Sequence, residues 1–98
     1  MPVFDDKDIQ KTAEIVLSAL RRGEGLNRTG LEELRSALIH AAEAWRDIPS
    51  IPKSAANLFI DLGSGIESCR YLYPGSEGDE IAKVAEEISA LIRECVSE

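Results

Sequence analysis

Aromatic residues are scarce, at 5% of the 98 positions, so any core must be built from Leu, Ile, Val and Ala. Basic residues are scarce too: eleven Lys and Arg face eighteen Asp and Glu, a formal charge of −7. That balance repels phosphate backbones and anionic bilayers, which argues against binding to nucleic acid or membrane surfaces. Two cysteines, Cys69 and Cys95, are too few for a disulfide framework or a cysteine metal cluster. The single histidine, His40, has no second His or Cys near it in sequence, so no metal site and no cofactor is expected. No apolar run approaches the ~18 residues of a membrane span. The amino-terminal MPVFDDKD is acidic and lacks the apolar stretch of a secretory signal, so a cytoplasmic location is expected.

What is present suits one globular domain. Hydrophobic residues are 44% and charged residues 30%, a balance far from that of disordered chains. A chain of this length buries roughly 65% of its unfolded surface, enough to fold without metal or disulfide staples. No internal repeat and no low-complexity tract is visible.

Four segments carry a helical period. In the first, Ile9, Ala13, Val16 and Leu20 recur at helical spacing, widened by Thr12 and Leu17. Asp5 stands as the N-cap, Phe4 and Ile9 have staple spacing, and Arg21, Arg22 and Gly23 close the segment. The second opens on TGLE, Thr29 to Glu32, a capping box, and continues with Leu31, Leu34, Leu38, Ala41, Ala42 and Trp45 before Pro49 and Pro52 stop it. The third, with Pro52 in its first turn, carries Ala55, Leu58, Phe59, Leu62, Ile66, Cys69 and Tyr73. The fourth begins near Ser76, with Asp79 in capping-box position, and carries Ile81, Val84, Ala85, Ile88, Leu91, Ile92 and Cys95. No strand-period alternation appears. The expected fold is all-α: a single-domain antiparallel up-down four-helix bundle, with helices over 5–22, 29–46, 52–72 and 77–96.

The stretch LFIDLGSGIES, Leu58 to Ser68, resembles the glycine-rich first motif of class I S-adenosylmethionine-dependent methyltransferases, with Asp61, Gly63 and Gly65 in matching places. Such a motif needs a strand before the glycines and a third glycine after them. Glu67 occupies that third position, and the apolar stripe from Ala55 to Cys69 crosses the glycines without losing its period. A helix is expected instead. There each glycine costs ~1 kcal/mol relative to Ala, so close approach of a neighbouring helix, or a bend, is the expected use.

Candidate sites are few. His40 falls opposite Leu38 and Trp45, facing solvent with no nucleophile to serve. Cys69 and Cys95 should be buried thiols ~20 Å apart along the hairpin axis. Trp45, Phe59 and Tyr73 lie on core stripes. Ile60, Ser64, Glu67 and Tyr71 share the opposite face of the third helix, an exposed line that suggests contact with a partner. The fourth segment holds seven acidic residues and two basic ones, and Glu80, Glu87 and Glu94 recur every seven positions. Such an edge could steer a basic surface, raising association rates ~10- to 1000-fold.

These features point to a small protein-interaction module and away from an enzyme, since no nucleophile–base pair, paired carboxylates or metal set is recognisable. An immunity or antitoxin-type role, neutralising a basic partner such as a nuclease toxin, fits the charge. The segment YLYPGSEGDEIAKV resembles the Tyr-Tyr-Pro and acidic turn of colicin-nuclease immunity proteins. It departs from them in that Leu72 splits the tyrosines, no Ser-Pro follows and LIREC lacks their Trp. The alternative is a structural or regulatory homodimer, associating through the Ile60–Tyr71 line and without a catalytic role. Monomer and homodimer are both compatible with the sequence.

Overall fold

A computed structural model describes residues 7–46, 51 and 53–96. The expected four-helix bundle is what forms. Its helices are α1 (Lys7–Arg21), α2 (Arg28–Ala44), α3 (Lys53–Cys69) and α4 (Ser76–Val96), and a 3-10 turn over Arg70–Leu72 extends α3. The apolar stripes become the core: Ile9, Val16, Leu20, Leu34, Leu38, Leu62, Ile66, Ile81 and Ile88 are all fully buried. Thr12, the one polar residue buried with them among the described residues, donates its hydroxyl to the Asp8 and Ile9 carbonyls of its own helix. Asp5, Phe4 and Pro52, read as helix-start residues, lie outside the described residues.

The boundaries have local causes. α1 ends in a Schellman motif: Gly23 takes φ +78°, its N–H bonds the Leu20 carbonyl at 3.2 Å, and the Glu24 N–H bonds the Ala19 carbonyl at 2.9 Å. The capping box at Thr29 is not used. Asn27 is the N-cap of α2, accepting from the Gly30 N–H at 2.8 Å. Starting there puts half-buried Leu26 and buried Leu31 at the spacing of a hydrophobic staple, which a start at Thr29 would not. The third helix was expected to run to residue 72. Instead its α-helical part stops at Cys69 and the last turn tightens, with the Tyr73 N–H bonding the Arg70 carbonyl at 3.1 Å.

Helices consecutive in the chain run in opposite directions, but the ring order around the core is α1, α2, α4, α3. The α1–α2 and α3–α4 hairpins therefore lie side by side, with α2 along α4 and α1 along α3, both pairs parallel. Pairing of Arg28 with Glu80 and of Arg35 with Glu87 fixes the shared direction of α2 and α4.

The two glycines of LFIDLGSGIES sit inside an unbroken α3. Gly63 packs directly against α4: a Cβ there would stand 2.3 Å from the Ser89 hydroxyl. Gly65 faces α1, and its Cβ would make ordinary contact, 3.4 Å from Leu17 Cδ2. Close approach, one of the two expected uses, thus accounts for Gly63.

Candidate functional site

The outer face of α3 is the first candidate. Ile60 is 74% exposed and Tyr71 83% exposed, with Ser64 and Glu67 open to solvent between them, as their spacing predicts. The Ser64 and Ser68 hydroxyls turn back onto α3, bonding the Asp61 carbonyl at 3.3 Å and the Ser64 carbonyl at 2.8 Å. Ile60 and Tyr71 are ~16 Å apart along the axis, so the line is two apolar points with polar residues between. At its far end the patch widens. Leu72, which periodicity placed inside the third helix without assigning it a face, is 58% exposed beside Tyr71. The Arg70 guanidinium lies 5.6 Å from the Tyr71 ring centroid, a cation–π contact that braces the phenol.

The acidic edge of α4 is in a different place and state. Glu80 is paired with Arg28 at 2.5 Å, and Glu87 with Arg35 at 2.7 Å. Arg35 also bonds Glu32, and hydrogen bonding to Glu87 raises its already high pKa. Glu94 is exposed and has no ion pair among the described residues. On α4, Ser89 faces α3 while Glu87 faces α2, about 200° apart at 100° per residue. The seven candidate partner-binding residues thus fall on two separate surfaces: Ile60, Ser64, Glu67 and Tyr71 on one, Glu80, Glu87 and Glu94 on the other. The sequence did hold a signal for the pairing, since Arg28 and Arg35 repeat the seven-residue spacing of Glu80 and Glu87.

The remaining candidates are placed as packing predicts. His40 is exposed. Trp45 is buried edge-on against Phe59, with ring centroids 6.2 Å apart. Cys69 and Cys95 are buried free thiols. With Gly63 opposite Ser89, they sit ~18 Å apart along the antiparallel hairpin. The Cys95 thiol donates to the Leu38 carbonyl at 3.3 Å, and burial, reinforced by Glu94, pushes its pKa up to about 11. Tyr73 does more than pack. Its hydroxyl accepts from the Gly25 N–H at 2.9 Å and donates to the Leu20 carbonyl at 2.8 Å, tying the α3–α4 turn to the α1–α2 loop. Among the described residues, no three His, Cys, Asp or Glu side chains are placed to hold a metal ion, and no helix is long and apolar enough to cross a membrane. An open groove of about 400 Å³ runs between α1 and α3, lined by Gln10, Glu14, Leu17, Ser18, Arg21 and Leu58.

No protein family, no curated protein and no solved structure matches the chain.

Proposed function

We propose that this protein is a small, non-catalytic interaction module that meets a protein partner through the outer face of α3 and the turn after it. One observation carries the reading: Ile60, Tyr71 and Leu72 are the three most exposed large hydrophobic residues described, and all lie on this one strut. Side chains of this kind gain roughly 25 cal/mol per Å² when covered. Tyrosine is also among the residues that anchor interfaces most often. The net charge of −7 supports a basic partner over a second copy, because like-charged copies repel. Neutralising a basic enzyme such as a nuclease toxin, the task of immunity-type proteins, is the specific role this balance suits. Glu80 and Glu87 contribute little net field while paired, so Glu94 carries most of what that edge adds to steering.

The test pairs stoichiometry with capture. Light scattering at micromolar concentration should give a monomer, and immobilised protein should retain a basic protein. The Ile60→Ala/Tyr71→Ala variant, folded as judged by circular dichroism, should lose it by faster dissociation. A stable dimer that falls apart in the same variant would support the homodimer reading instead.

A further inference from the structure

The Arg28–Glu80 and Arg35–Glu87 pairs form two rungs of an ion ladder that climbs the α2–α4 seam seven residues at a time. Because the helices are parallel, the next rung falls at Ala42 and Glu94, where α2 supplies no cation. Within α4, the residues four and three positions before Glu94 are Ala90 and Leu91, neither of them basic. A carboxylate in the last turn also faces the negative end of the helix dipole, so its charge is locally unfavourable. One turn before it, at the same level of both helices, Ile39 is 46% exposed and Leu91 half-buried. The contact of the Cys95 thiol with the Leu38 carbonyl holds the two helices together at this height. A small residue where an arginine would complete the series, a carboxylate with no ion pair among the described residues and an exposed aliphatic side chain thus lie within about one turn of one another.

We propose that this open rung docks a segment of a partner protein presenting an arginine or lysine about one helical turn from an aliphatic side chain. The cation takes the place over Ala42 and pairs with Glu94, as Arg35 does with Glu87, while the aliphatic group covers Ile39 and Leu91. Charge complementarity identifies the occupant: the two completed rungs show which chemistry this seam accepts. The seam faces away from α3, so this step does not depend on the Ile60–Tyr71 surface.

The probe is an acetylated alanine–glutamine helical peptide bearing one leucine and, four residues on, one arginine. It is titrated into the ¹⁵N-labelled full chain at low salt. Amide shifts should centre on Ile39, Ala42, Leu91 and Glu94. Glu94→Gln and Ile39→Ser should each weaken binding about fivefold, the scale of one exposed ion pair or a partly buried side chain. Ala42→Arg closes the rung internally and should weaken binding at least about tenfold while the fold persists. Shifts centred on Ile60 and Tyr71, equal binding of a peptide with glutamate in place of the arginine, or no shifts at millimolar peptide would overturn the proposal. So would association of the chain with itself through the seam, since Leu17 and Arg21 on α1 have the same spacing. Apart from the first, and from self-association, which light scattering would also register, none of these results touches the reading of the α3 face.

Discussion

Replacing Tyr73 by Phe removes a single oxygen and should be among the costlier conservative changes in this protein. The side chain is 8% exposed, and its hydroxyl holds the Gly25 N–H at 2.9 Å and the Leu20 carbonyl at 2.8 Å. Without it the Leu20 carbonyl keeps the Gly23 N–H at 3.2 Å, so the group left without this partner is the N–H of buried Gly25. The loop cannot easily turn that N–H outward, because Gly25 sits at φ +81° between a Schellman motif and the Asn27 cap. Each net hydrogen bond contributes about 1 kcal/mol, and a buried orphan donor costs about 1–3 kcal/mol. A loss of about 2–3 kcal/mol follows, or a melting temperature lower by roughly 8–20 °C for a domain this size. Urea unfolding followed by the fluorescence of Trp45 should show a lower midpoint with an unchanged m value. Tyr71→Phe, at a position 83% exposed, is the control and should stay within about 0.5 kcal/mol of wild type. If Tyr73→Phe also changes stability by less than about 0.5 kcal/mol, the bridge between the two loops is not holding them.

Further outcomes can be checked in the same unfolding assay. Gly65→Ala should stabilise by up to about 1 kcal/mol, since its Cβ makes only ordinary contact with Leu17 and helix propensity improves. Gly78→Ala should cost about 2 kcal/mol, because its Cβ would lie 2.4 Å from the Tyr73 carbonyl oxygen and 3.1 Å from that of Arg70. The Glu80→Gln/Glu87→Gln variant should lose about 1 kcal/mol, less at high salt, whereas Glu94→Gln should be neutral or slightly stabilising. The folded-state pKa of Cys95 is raised from 9.0 to about 11. The thiol therefore contributes stability that is fully present below pH 9 and is lost as pH rises towards 11, so wild type should lose stability more steeply than Cys95→Ala across that window.

Most of the fold was legible because a helix with one apolar stripe has one way to bury it. Every residue on the four stripes is buried except Leu17, Ala42, Leu58 and Leu91, which are half-buried at the seams between helices. What periodicity does not state is which helix covers which stripe. The neighbours of α2 are therefore absent from the sequence pattern, and the role of Arg28 and Arg35 is absent with them. The helix start at Asn27 was hidden because Thr29 can also cap, with Glu32 completing a capping box, and the Leu26–Leu31 staple favours Asn27. Gly78 gave no signal either, since it is needed by two carbonyls of the preceding turn and not by its own backbone angles. On the α3 face, the 3.6-residue period located Ile60 and Tyr71 correctly. The α-helix gives way to a 3-10 turn at Arg70, and Leu72 is exposed in it beside Tyr71.

The parallel α2–α4 contact poses a problem that the two hairpins do not. In each hairpin a short connection sets how far one helix can slide on the other, but no short loop joins α2 to α4. The ion ladder supplies the missing constraint. Sliding α4 by four residues in one direction sets Arg28 against Ser76 and Arg35 against Lys83; in the other it sets them against Val84 and Leu91. Neither slip pairs either arginine, and one of them opposes like charges. Exposed ion pairs add little stability, yet the difference between registers is the whole of their contribution here, much as charged flanks select pairing in coiled coils. Two rungs are enough for that task. Glu94, on the third, is therefore not required by the register, and its unpaired charge beside Ile39 is the part of the acidic edge that folding leaves free.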